Sequence, residues 1–167
     1  MHDPTRPSPW TDVRREADKA ALYKDLASGL DALLADERDV VANLANAAAA
    51  IYRTLPSLNW AGFYILRGNE LVVGPFQGLP ACVRIPLGKG VCGTAAVERR
   101  SILVPDVALF PGHIACDTAS RSELVVPLLR GRSVIGVLDL DSPQLARFDE
   151  CDQSGCENLA RIVTQYM

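Results

Sequence analysis

The chain has 167 residues, 49% hydrophobic and 22% charged, with a formal net charge of -3. That balance suits one globular domain with a single sizeable core, and gives no electrostatic reason to expect nucleic acid or an anionic membrane as partner. The apolar runs fall well short of the roughly 20 residues a membrane helix needs, and the opening MHDPTRPSPW is polar and Pro-rich, without the apolar stretch of a secretory signal; a cytoplasmic protein is expected.

Residues 1–10 are expected to be a flexible N-terminus and 11–167 a single domain. From Thr11 to Leu34 the pattern is helical, with Leu22, Leu26, Leu30 and Leu33 forming an apolar stripe. RDVVANLANAAAAIYRTL, residues 38–55, predicts a second, Ala-rich helix stopped by Pro56. The texture then changes. WAGFYILRG, ELVVGPFQG and ACVRIPLG are short runs bounded by Gly and Pro, which predicts strands, with RGN as a hairpin turn. GVCGTAAVERR predicts a short helix over 90–99, SILVPDV a short strand, and 108–122 a loop. SELVVPLLRGRSVIGVLDLDS reads as two strands joined at Gly131, and a helix from Phe148 to Tyr166 closes the chain. Helices at both ends of an antiparallel sheet make an α+β plan, with the helices on one face.

The five cysteines are Cys82, Cys92, Cys116, Cys151 and Cys156. Their number is odd and none is in CxxC spacing, so no structural disulfide framework is expected. His113 with Cys116 is the nearest metal-like signal, but a structural zinc site needs a full set of ligands and the chain has two histidines; neither metal nor cofactor is expected. Reactive thiols remain. FPGHIACD, residues 110–117, sets Cys116 in a Pro-Gly loop beside His113 and Asp117, where turn chemistry predicts exposure rather than packing.

Carboxylates occur where core is expected. In SVIGVLDLDS, alternation puts Ile135, Val137, Asp139 and Asp141 on one face. Either the strand end emerges into water, or the two aspartates floor a pocket that binds a cation or donates a proton. Glu123 opens the neighbouring strand; crowded carboxylates raise at least one pKa, and a protonated carboxyl is a general acid. Trp60 and Tyr64 share a face with Gly62 between them, either as plain core or as an aromatic wall for an apolar or cationic ligand group. RFDE, residues 147–150, opens the last helix with acids that favour its dipole. Cys151 and Cys156 on that helix are read as packing or partly exposed residues.

Taken together, NWAGFYIL, GPFQGLPACVRIPLGKGVCGTAA, VPDVALFPGHIACDTASRSELVVPL and GVLDLDSP with FDE, from Asn59 to Glu150, resemble the free methionine-(R)-sulfoxide reductases, a family built on the GAF domain. The resemblance implies a six-stranded antiparallel sheet with helices on one side and a pocket on the other. It implies reduction of free L-methionine-(R)-sulfoxide, recycling by thioredoxin, and a homodimer. It carries the catalytic thiol to Cys116, the resolving thiol to Cys82 with Cys92 as the alternative or auxiliary partner, and the substrate pocket to Trp60, Tyr64, Glu123, Asp139 and Asp141. Glu123 is the preferred proton donor, with Asp141 next. The competing readings are a GAF sensor that binds a small ligand without turnover, and a thiol redox switch.

Overall fold

The computed structural model describes residues 18–114 and 117–167. The expected flexible segment and the first turns of the expected helix from Thr11 lie outside them. In chain order the elements are α1 (Lys19–Leu34), α2 (Val40–Thr54), β1 (Trp60–Arg67), β2 (Glu70–Gly78), β3 (Arg84–Pro86), α3 (Gly90–Glu98), β4 (Ile102–Val104), β5 (Ser122–Arg130), β6 (Ser133–Ser142) and α4 (Glu150–Gln165). A 3-10 turn over Val107–Leu109 starts the long loop between β4 and β5. The strands form one six-stranded antiparallel sheet in the order β3-β2-β1-β6-β5-β4. Among the described residues no helix is long and apolar enough to cross a membrane.

The sheet has two different faces because its side chains alternate. Ala61, Phe63, Leu124, Val126, Leu138 and Leu140 point to one side, where they join the buried faces of α1, α2 and α4 in the larger core. Trp60, Tyr64, Val125 and Val137 point to the other, where the short α3 packs through Val91, Cys92, Ala95 and Ala96. The expected plan of helices on one face and a pocket on the other is what forms, with α3 set beside the pocket.

Two periodicity readings need correction. On α1 the buried stripe is Tyr23, Leu26, Ala27, Leu30 and Leu34, whereas Leu33 is 39% exposed. Tyr23 displaces the stripe by one position because its hydroxyl is drawn into a polar cluster on α4. On β6, Ile135 does not share the face of Val137 and the aspartates. The β5–β6 register shifts between Leu128 and Leu129, and this bulge turns Ile135 to the helix side while Val134 packs on the other.

The cluster that joins α1 to α4 is built on RFDE. Asp149 caps α4 and forms a reciprocal capping box with Asp152. Asp152 is 1% exposed. It accepts hydrogen bonds from Arg147 Nη1 at 3.0 and 3.1 Å, from Lys19 Nζ at 2.7 Å and from the Tyr23 hydroxyl at 2.9 Å. The Lys19 ammonium beside Asp149 holds its carboxyl down at about 2. Removing one partner of a buried pair leaves the other uncompensated, so Asp152→Ala is expected to cost about 3–5 kcal/mol in urea denaturation. Lys19→Ala, at the solvent edge, is expected to cost less than about 1 kcal/mol in the same measurement.

Candidate active site

Strand pairing brings the candidate residues together. β6 lies between β1 and β5, with Asp141 opposite Trp60 on one side and Glu123 on the other. One step along the same face, Asp139 stands between Gly62 and Val125. This is the face turned away from α1, α2 and α4, and a partly open cleft lies over it. Trp60, Tyr64, Cys92, Glu123, Asp139 and Asp141 all line it.

The aromatic wall depends on a missing side chain. A Cβ on Gly62 would collide with Phe76 Cβ and lie 2.7 Å from Trp60 Cη2. Without it, Trp60 stacks on Tyr64 at 5.8 Å between ring centroids and on Phe76 at 5.2 Å. Both wall residues are tied to the loop that follows β2. The Trp60 indole N–H donates to the Leu79 carbonyl at 3.2 Å, and the Tyr64 hydroxyl donates to the Cys82 carbonyl at 3.1 Å. Cys82 itself is held in a disulfide.

The floor is electrostatically strained. Glu123 and Asp139 are each 6% exposed. Burial pushes the Glu123 carboxyl well above its ordinary range, and the charge of Asp141 adds to this. Burial and Glu123 do the same to Asp139, and burial and Asp139 to Asp141. Cys92, in the first turn of α3, is pushed up by burial and then by Asp139 and Glu123. Burial and mutual repulsion thus both work against such a floor carrying a full set of negative charges. Asp139 Oδ1 is buried with no hydrogen-bond partner among the described residues. His113 reaches in from the loop with Nε2 3.4 Å from Glu123 Oε2, and burial lowers its pKa, which favours the neutral imidazole.

Of the sequence-predicted residues, Cys116 lies outside the described residues. Cys156 is buried on the opposite face of the sheet, 3.6 Å from the Tyr23 hydroxyl, with its thiol pushed up to about 12 by burial. Cys151 is half-buried on α4. Asn59 was not anticipated. Its amide donates to Asp117 Oδ2 at 2.9 Å and Ser120 Oγ at 3.0 Å, tying the start of β1 to the downstream end of the loop. The signal available was CDTAS, where Asp117 accepts from the Ala119 N–H in an Asx turn. The first turn of α3, also in the cleft wall, has no side-chain cap: Lys89 occupies the N-cap position without a capping hydrogen bond.

Residues 16–166 match the GAF domain family. The chain is 50% identical over 141 residues to the free methionine-R-sulfoxide reductase of Escherichia coli, covering 84% of this chain and 86% of that protein. The structure is similar to that of the free methionine-R-sulfoxide reductase of Neisseria meningitidis in complex with its substrate, with a TM-score of 0.87 and 47% identity over 91% of this chain and 92% of that one. A putative GAF sensor protein from Burkholderia vietnamiensis also has a TM-score of 0.87, with 58% identity over 90% of this chain and 96% of that one. The fold is therefore a GAF domain. Within that class, the chain belongs to the free methionine-R-sulfoxide reductase family.

The raised carboxyls make stability depend on pH. A carboxyl whose folded pKa is raised leaves stability intact below its unfolded value, and stability is lost as pH climbs through the folded value. Asp139→Asn removes one such group. Its melting temperature relative to the unsubstituted protein is expected to rise as pH climbs above the ordinary aspartate range. A pH-independent difference between the two melting curves would contradict the buried, proton-retaining floor.

Proposed function

We propose that the chain is an oxidoreductase that reduces free L-methionine-(R)-sulfoxide to methionine, with Cys116 as nucleophile. The observation that carries this reading is a carboxyl floor facing an aromatic wall in one cleft: a donor of protons and a holder of ammonium beneath a surface suited to an S-methyl group. The Cys116 thiolate attacks the sulfoxide sulfur while Glu123 gives its proton to the departing oxygen. The hydroxyl then passes from the methionine sulfur to the Cys116 sulfur as the bond between the two sulfurs breaks, so that methionine leaves and Cys116 is left as a sulfenic acid. The Cys82 thiol then attacks that sulfur, expelling water and closing a disulfide. The disulfide in which Cys82 takes part supports its role as the resolving thiol, with Cys92 too buried to be the first partner. Thioredoxin returns the disulfide to two thiols by exchange, so each cycle consumes one sulfoxide and one external dithiol and releases methionine and water. The active form is read as a homodimer.

Selectivity for the free amino acid follows from the same parts. Asp139 and Asp141 offer negative charge to the α-ammonium, and the uncapped first turn of α3 offers backbone N–H groups to the α-carboxylate. A peptide-bound methionine has neither charge. Trp60 and Tyr64 hold the methyl end, where sulfur–aromatic contact is favourable.

The test is NADPH consumption with thioredoxin and thioredoxin reductase, offered the free R sulfoxide, the free S sulfoxide and a peptide-bound sulfoxide. Only the free R form should turn over, and Cys116→Ser should abolish it. Glu123→Gln should lower kcat by about 10²–10⁴-fold. Cys82→Ser should still release one methionine per chain and leave a sulfenic acid that dimedone traps. Asp141→Ala should raise KM more than it lowers stability. A folded, reduced protein that turns over none of the sulfoxides would instead be a ligand-binding GAF sensor or a thiol switch.

A further inference from the structure

One corner of the cleft holds a donor set suited to more than sulfoxide chemistry. Cys92 Sγ, one carboxylate oxygen of Glu123 and one of Asp139 lie within 4.8 Å of one another, and all three residues are buried. They come from three elements, α3, β5 and β6, that pack directly together. Asp139, 6% exposed, lines the cleft, and its Oδ1 is buried without a hydrogen-bond partner among the described residues. His113 Nε2, outside this three-residue group, stands 3.4 Å from Glu123 Oε2.

We propose that the reduced protein binds a zinc-class divalent cation at this corner, through the Cys92 thiolate, Glu123 and Asp139, with His113 as fourth donor, and that the bound ion closes the cleft to substrate. Zinc–donor bonds of about 2.0–2.3 Å place tetrahedral donors about 3.5 Å apart, against separations of up to 4.8 Å among Cys92, Glu123 and Asp139. A thiolate and an imidazole select Zn²⁺ or Co²⁺ over Mg²⁺ and Ca²⁺. The ion would occupy the place that the α-ammonium takes in the reductase reading, and only this blocking half of the proposal rests on that reading. Nothing is oxidised: the metal replaces the proton of the Cys92 thiol and any proton shared by the carboxyls.

The test uses full-length reduced protein carrying Cys82→Ser and Cys116→Ser, which removes the redox thiols as competing ligands. Titration with Co²⁺ should give one equivalent of binding with a thiolate-to-cobalt charge-transfer band. Zn²⁺ should displace the cobalt and Mg²⁺ should not. Adding Cys92→Ser should remove the band, and adding Asp139→Asn should weaken binding at least about tenfold, while adding Cys151→Ser should change neither. Melting curves identify variants that are folded, and with the Cys82→Ser and Cys116→Ser protein they give a second readout, since Co²⁺ should raise its melting temperature. No band, or a band that survives Cys92→Ser in folded protein, overturns the site. Free methionine-(R)-sulfoxide should bleach the band by competition; cobalt that stays bound at saturating sulfoxide overturns the blocking half. Because the readout needs no turnover, a protein that binds cobalt yet reduces no sulfoxide keeps the metal site and loses the reductase reading.

Discussion

The pairing of β5 with β6 sets the character of this molecule. It puts Glu123 across from Asp141 and Asp139 across from Val125 on one face of a sheet, inside a wall of apolar side chains. Carboxylates in such surroundings repel one another and lose their hydration. The site must therefore hold protons, or a cation must enter. Both demands fit an enzyme that donates a proton to a departing oxygen and grips an ammonium group. The cost is offset on the other side of the sheet, where α1, α2 and α4 bury the larger core and the Asp152 cluster locks α1 to α4. Stability and chemistry thus sit on opposite faces of the same strands.

The loops extend this division. Trp60 and Tyr64 belong to the rigid β1 yet hydrogen-bond to the carbonyls of Leu79 and Cys82. A ligand that presses on the aromatic wall presses on the support of the Cys82 loop as well. Asn59, next to Trp60, performs the matching task for the loop after Cys116 through Asp117 and Ser120. The segments around Cys82 and around Asp117 to Ser120 are thereby both tied to β1 or to the residue just before it.

Much of this was legible in the residues. Strand alternation alone placed Asp139 and Asp141 together, because a period of two survives any error in the strand ends. The hairpin turns at Gly68 and Gly131 followed from the need for positive φ, which is 63° and 62° there. What alternation could not contain was the bulge that turns Ile135 away, since a bulge is a property of a pair of strands and not of one. The stripe on α1 was displaced for a similar reason: Tyr23 is drawn in by Asp152, a residue 129 positions away. Spacing could not bring Cys92, Glu123 and Asp139 together, because they meet only through the packing of α3 on β5 and β6. The burial that raises their pKa values is likewise a tertiary property.

The central claim is that the carboxyl floor recognises the free ammonium of its ligand. It is tested most directly by calorimetric titration of the Cys116→Ser protein with free methionine-(R)-sulfoxide and, separately, with its N-acetyl derivative, which keeps the sulfoxide and the carboxylate and lacks only the charge on nitrogen. Saturable binding of the free amino acid with none of the acetylated form is the predicted result. Equal binding of the two would mean that Asp139 and Asp141 do not read the ammonium, and the account of the floor would fail.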